Sequence, residues 1–279
     1  MNSLTSQPLG ISVIGLGGFG NFIAGRIREC AALRLLGGYD PDARAARVWA
    51  DRWQVPAWSS LAAALEVAGV EAVFLASPNH LHRLHAEEAA ARGLHVFVTK
   101  PLANTVADAR AILQACARAD VVFHLDHPPA RWRGWAERMH HHIEGQIVMA
   151  EANGSSPSGL LLEPHHWRWQ VDLCPGGSLI QLGIYQADVL CYLMGMPRLV
   201  VSLFQRLYVR AEIPDVTATL IEFESGTLGY LGSSYAAGSD PFWVKVHGTT
   251  GSLEQQREGL FIRRGRYSAP EPLLGPESD

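Results

Sequence analysis

The sequence predicts a doubly wound α/β domain followed by an α+β domain built on a mostly antiparallel, open sheet. Three observations carry that expectation. From Leu9 to His124 short apolar runs alternate with longer Ala-, Arg- and Leu-rich segments of helical period, the pattern of parallel strands joined by crossover helices. Beyond Asp126 strand signals dominate, separated by turn signals such as Glu224-Ser225-Gly226 and Thr250-Gly251, which favour antiparallel pairing. The length of 279 residues is close to twice the ~150-residue prior for one domain. Domains are therefore expected over 1–126 and 127–279.

In the first domain, strands are expected over 11–14, 33–39, 72–76, 95–98 and 121–124, because each is a short apolar run with polar or Gly-rich flanks. Helices are expected over 19–31, 42–53, 61–67, 81–92 and 106–118, most of them of the ordinary length of about three turns. In the second domain, 128–144 reads as one or two connecting helices and 183–193 as another. Strands are expected there over 146–152, 199–208, 216–223, 227–234 and 243–247, and the Pro- and Glu-rich tail 269–279 is expected to fray.

Composition excludes several classes of protein. With 48% hydrophobic and 18% charged residues, and 23 Lys and Arg against 27 Asp and Glu for a net charge of −4, the chain is neither disordered nor collagen-like. Cys30, Cys116, Cys174 and Cys191 lie far apart, which argues against a disulfide framework or a thiolate zinc site and fits a reducing compartment. The N-terminal segment MNSLTSQPLG lacks a basic n-region and an apolar h-region, and no stretch reaches the ~20 apolar residues of a membrane span, so a cytoplasmic protein with no membrane partner is expected. The tryptophans are not interleaved with a basic stripe, so no nucleic-acid partner is expected.

Directly after the first apolar run stands Gly15-Leu16-Gly17-Gly18-Phe19-Gly20, a G-x-G-x-x-G with a strand before it and a helix after it. Gly15 permits a tight turn, Gly17 lets backbone approach a pyrophosphate, Gly20 lets helix and strand pack closely, and the helix start offers free N–H donors. Asp40 ends the second strand 20 residues past the last glycine, the spacing of an acid that accepts hydrogen bonds from the adenosine ribose. The alternative is an ordinary βα turn with Asp40 capping the next helix. The motif in its context predicts a Rossmann fold holding a nicotinamide dinucleotide. A carboxylate at Asp40 would repel a 2′-phosphate and favours NAD, while Arg44 one helical turn later keeps NADP open.

Two further stretches add a specific resemblance. Ser77-Pro78-Asn79-His80-Leu81-His82 follows the third strand and Val98-Thr99-Lys100-Pro101-Leu102 closes the fourth. These resemble the P-N-x-x-H and E-K-P segments of the glucose–fructose oxidoreductase, inositol dehydrogenase and rhizopine catabolism (Gfo/Idh/MocA) family. Trp167-Arg168, the run from Pro175-Gly176-Gly177 through Gln181 and Tyr185 to Asp188, and His247-Gly248-Thr249-Thr250-Gly251-Ser252-Leu253-Glu254 are similar to later motifs of that family. The resemblance implies an NAD(P)-dependent oxidoreductase acting on a hydroxyl or carbonyl carbon of a small polyol, sugar or sugar acid, with a second domain that binds substrate and forms a homo-oligomer through its sheet. It places Lys100 and Tyr185 in the catalytic positions. Gly15, Gly17, Gly18, Phe19, Gly20, Asp40, Ser77, Pro78, Asn79, His82, Lys100 and Pro101 fall on the cofactor side, and Lys100, Trp167, Arg168, Gln181 and Tyr185 on the substrate side.

The sequence departs from the family pattern at Thr99, where a glutamate is usual, at Gln181, where many members carry an aspartate, and in ending soon after the stretch from His247 to Glu254, a hairpin in the family. Those departures also fit a catalytically silent dinucleotide-binding or regulatory protein. Loss of two carboxylates predicts a more positive cleft and an anionic substrate. A lysine ammonium near Tyr185 would favour the phenolate over a free phenol of pKa ~10, which is what a base near neutral pH needs. The Lys100-Pro101 peptide is expected to be cis, a form seen at about 5% of X-Pro bonds. Asn79 and His82 could equally be a helix-capping Asn and a surface His. His82 and His85 share a helical face with no evident third ligand, and His140-His141-His142 diverge on a helix, so no metal is expected. A Trp face in His165-His166-Trp167-Arg168-Trp169 suits a sugar ring, and Arg168 suits a carboxylate; packing within the domain is the other reading.

Overall fold

The computed structural model describes residues 7–127, 137, 139, 142, 145–161, 163, 166–239, 241–256, 258–265 and 267–274. The chain divides into two compact units, Met1–His127 and Pro128–Asp279.

The first unit is an alternation of strands and helices: β1 (Leu9–Ile14), α1 (Gly18–Glu29), β2 (Leu33–Tyr39), α2 (Ala43–Trp53), α3 (Leu61–Leu65), β3 (Ala72–Leu75), α4 (His82–Ala90), β4 (His95–Thr99), α5 (Val106–Arg118) and β5 (Phe123–Asp126). All five strands are parallel, in the order β2-β1-β3-β4-β5. A further parallel bridge joins Gly38 to Ala57 outside β2. The sheet thus has the doubly wound order of dinucleotide-binding folds, with the strand beyond β2 reduced to one pair. Strands buried on both faces explain the apolar runs. Ile14, Val73, Leu75, Val96 and Val98 pack toward Ala86, Ala89 and Ile112 on one side, and Val13 and Leu35 pack toward Ile23, Ile27 and Trp49 on the other. Asp42, Ser60 and Thr105 cap α2, α3 and α5 by accepting backbone N–H bonds.

The second unit contains β6 (Ile147–Gly154), α6 (Ile184–Met194), β7 (Pro197–Gln205), β8 (Val216–Phe223), β9 (Leu228–Ser234), β10 (Phe242–Gly248), β11 (Gly251–Gln256), β12 (Gly259–Arg264) and β13 (Glu271–Leu274). They form one sheet in the order β13-β12-β11-β10-β6-β9-β8-β7, antiparallel except for the β6–β9 pair. Val189, Leu190 and Leu193 of α6 pack with Ala150, Ala152, Val244 and Val246 on one face. At the β7 edge Leu199, Val201, Leu203 and Leu220 are all more than half exposed.

Several elements differ from expectation. The strand expected over 199–208 ends at Gln205 because the buried Asp215 carboxylate captures the next amides: Leu207, Tyr208 and Val209 donate to it at 2.8, 2.7 and 2.6 Å. β5 lies two residues later than expected, with Val122 largely exposed. The stretch expected to fray instead contains β13, and β12 was not anticipated. The helix expected over 183–193 is preceded by a π-helical turn, Leu179–Gly183. Most of the expected 128–144 helix, with His140 and His141, lies outside the described residues, as do His165 and residues 275–279.

Candidate active site

In the first unit the crevice at the carboxyl ends of β1 and β3 is closed by main chain. Gly15 has φ +96°, and a Cβ there would lie 2.6 Å from Ala76 C and Ser77 N. A Cβ on Gly20 would lie 2.0 Å from the Gly15 carbonyl oxygen. By contrast, a Cβ on Gly17 or Gly18 meets nothing within 4 Å. The first helical bond of α1 is donated by Asn21 to the Gly17 carbonyl, so the N–H groups ahead of it have no partner in the helix ladder. No side chain caps this end and no acidic residue stands in the first turn. Open space over Gly17 and Gly18, a bare helix start and the positive end of the helix dipole fit a pyrophosphate.

Asp40 borders this turn. Its Oδ2 accepts the Leu16 N–H at 2.8 Å and its Oδ1 the Asp42 N–H at 2.9 Å. The carboxylate is held in place, and each oxygen keeps a lone pair for a ribose hydroxyl. Asp42, not Asp40, caps α2, so the capping alternative fails for Asp40. Phe19 is partly exposed beside Phe22 and Phe74. Arg44 is exposed.

After β3, Ser77, Pro78 and Asn79 lead into a 3-10 turn, Asn79–Leu81, and both Ser77 and Asn79 are buried. His82 departs from the solvated surface position that one reading of the sequence offered. It is fully buried, with Nε2 2.8 Å from the Ser77 carbonyl and Nδ1 3.0 and 3.2 Å from those of Pro101 and Leu102. Both ring nitrogens face backbone carbonyls, and the neutral ring donates its one N–H to one side or the other. His82 therefore ties the β3 turn to the Lys100-Pro101 turn. Burial lowers its pKa, against the pull of the three carbonyls. His85 faces Ser77 Oγ at 2.9 Å; burial first, then His82 and His80, pull it down to about 4. Among the described residues no group of three His, Cys, Asp or Glu could hold a metal.

The Lys100-Pro101 peptide is cis. Lys100 is half-buried, and its N–H donates to the Asp126 carbonyl at 3.0 Å. Asp126 is the register partner of Thr99 across β4 and β5. Burial raises the Asp126 pKa, while His124 and the Lys100 charge favour its ionised form. The Asp126 carboxyl thus feels the Lys100 charge although Thr99 supplies no carboxylate of its own. Asp126 was not among the residues singled out from the sequence, because it comes to Lys100 through the β4–β5 register rather than through a local motif.

In the second unit Trp167 and Arg168 sit half-exposed in a single 3-10 turn, with the Arg168 guanidinium 4.6 Å from the Trp167 ring centroid. Arg168 Nε approaches Gln181 Oε1 at 3.4 Å, and Gln181 Nε2 donates to Cys174 Sγ at 3.2 Å. Gln181 is only 4% exposed. It lies on the π-helical turn beneath Arg168. Trp169 is buried edge-on against Tyr235, and its indole N–H donates to the Glu163 carbonyl. Burial also pushes the Tyr235 phenol far up, beside Cys174 and Arg168. Cys174 and Tyr235 are members of this cluster that were not singled out from the sequence, since neither stands in a motif. Tyr185 opens α6 half-exposed, its ring 6.1 Å from Phe242.

The fold and the glycine turn define a dinucleotide-binding protein with a second, sheet-based unit. Residues 9–127 match the family model described as oxidoreductase family, NAD-binding Rossmann fold, and residues 136–254 match the GFO/IDH/MocA C-terminal domain. The chain belongs to the Gfo/Idh/MocA oxidoreductase family. It is 27% identical over 191 residues to the 1,5-anhydro-D-fructose reductase of Ensifer adhaerens, covering 66% of this chain and 56% of that protein. An oxidoreductase structure from Desulfitobacterium hafniense superposes with a TM-score of 0.86 at 27% identity, covering 98% of this chain and 84% of the other. The aldose-aldose oxidoreductase of Caulobacter crescentus gives 0.80 at 25% identity, covering 97% and 85%. The chain spans little more than half the length of the curated relatives it matches first. No helix among the described residues is long and apolar enough to cross a membrane.

Proposed function

We propose that this chain is an NAD(P)-dependent oxidoreductase that moves a hydride between nicotinamide and a hydroxyl or carbonyl carbon of a small polyol, sugar or sugar acid. The observation that carries the reading is the glycine turn, shut by backbone at Gly15 and Gly20 and open at Gly17 and Gly18. The sugar-directed names of the reductase and the aldose-aldose oxidoreductase support the substrate class. A bound dinucleotide would supply the hydride acceptor or donor.

In this reading Gly17, Gly18 and Phe19 offer main-chain N–H groups to the pyrophosphate, and Asp40 accepts from the adenosine ribose and favours NAD(H) over NADP(H). Ser77, Pro78, Asn79 and Pro101 line the nicotinamide side. Lys100 orients substrate, with Asp126 holding the ammonium in place. Tyr185 carries the proton on or off the substrate oxygen, and Trp167 and Arg168 contact the sugar. A second copy of the chain covers the apolar β7 edge and forms a homo-oligomer. Four free cysteines, one of them exposed, fit a reducing cytoplasm.

The test is turnover of NADH or NADPH with a panel of aldoses, ketoses and sugar acids. Lys100→Met and Tyr185→Phe should each lower turnover by about 100-fold or more while NADH affinity stays nearly intact, the mark of lost proton transfer. An unchanged rate in Tyr185→Phe would remove Tyr185 from the reaction.

A further inference from the structure

A groove of about 780 Å³ runs along the segment between β7 and β8, lined by Trp169, Arg206, Tyr208, Arg210 and Glu212 among others. Its wall is built rather than loose. Asp215, fully buried, holds three successive amides of the segment, and its own N–H and carbonyl bond Gln205 and Tyr235. Ile213 is fully buried against Trp169 and Tyr235. The segment is also joined to the turn that carries Arg168, because Glu212 N–H donates to the Trp169 carbonyl at 3.0 Å.

The charges in this groove are unevenly committed. Glu212 Oε2 accepts the Val171 N–H at 3.3 Å. Arg206 and Arg210 are exposed, and neither guanidinium has a carboxylate partner among the described residues. Two arginines four residues apart line this groove beside a tyrosine that is 69% exposed, and a guanidinium is a planar fork of donors suited to an oxyanion.

We propose that this groove is a subsite for the phosphate or carboxylate of a carbohydrate substrate, gripped by Arg206 and Arg210 while the sugar lies toward Trp167 and Arg168. The inference rests on the sugar-oxidoreductase reading and narrows it to anionic carbohydrates. It places a source of positive field in the second unit, apart from Lys100 in the first.

The test follows the arginine side-chain N–H signals of Arg206 and Arg210 by NMR in the full chain saturated with NADH. Inorganic phosphate and D-glucuronate are the probes, and neutral D-glucose is the control. Both anions should shift the two signals, glucose should not, and the Arg206→Gln/Arg210→Gln double variant should weaken anion binding at least tenfold with melting temperature and NADH affinity unchanged. Signals that stay put with either anion, that respond equally to glucose, or that move only with protein concentration would overturn the subsite, the last by revealing a contact between copies. An anion affinity unchanged in the double variant would overturn it as well. Failure of NADH to bind, with the anion shifts intact in the unsaturated protein, would sink the oxidoreductase reading and leave the groove standing as an anion site.

Discussion

The two units build their candidate chemistry from different materials. In the first, the cradle is main chain: a positive-φ glycine, two glycines open to space and a bare helix start, with Asp40 held by two backbone N–H groups. In the second, it is side chain upon side chain, Arg168 on Gln181 on Cys174, and a loop hung from one buried carboxylate. A main-chain site should tolerate most substitutions except where a Cβ collides. A side-chain site should hinge on single buried groups.

The largest effect should come from Asp215→Asn. Its three N–H bonds are charge-assisted and desolvated, and an amide would turn a donor toward donors, so a loss of roughly 4 kcal/mol is expected in denaturant unfolding of the second unit. A loss below ~1 kcal/mol would mean the loop does not hang from this carboxylate.

Acid should act on the first unit. His85 has its folded pKa pulled from 6.5 down to about 4, so as pH falls across that window the unfolded chain takes up the proton first and stability is lost. At ~1.4 kcal/mol for each pH unit, the loss reaches up to roughly 3 kcal/mol. His82, shifted in the same direction, adds to it. Unfolding midpoints of wild type and His85→Gln, compared from neutral to acid pH, should converge as pH falls; parallel curves would remove His85 as the cause.

The glycine turn offers the sharpest contrast within one motif. Gly20→Ala drives a Cβ into the Gly15 carbonyl and should lower stability by about 2 kcal/mol. Gly17→Ala has room and φ −67°, so its melting temperature should hold while NADH affinity falls. Equal stability losses in the two would erase the distinction between a packing glycine and a ligand-facing one.

The smallest effect is a helix cap. Asp42→Ala removes the acceptor for Arg44 and Ala45 N–H and should lower stability by about 1 kcal/mol, with NADH affinity unchanged because Asp40 keeps its own bonds. A drop in NADH affinity would show that the Asp42 N–H bond to Asp40 depends on the cap.

Much of the first unit was written in its sequence. The glycine spacing, the strand before it and Asp40 after β2 depend on backbone conformation over a few neighbouring residues, which composition and period report directly. Apolar runs at β1, β3 and β4 announced strands buried on both faces for the same reason. Tertiary structure decided what depends on register and long-range packing. It set Asp126 opposite Thr99, turned His82 inward onto carbonyls 19 and 20 residues away, buried Gln181 under Arg168 and cut β7 short at Asp215. Local propensity fixes which backbone a segment can adopt, whereas the partner of a buried charge or ring is chosen by whichever distant strand packs beside it, and a single sequence carries no period that names that partner.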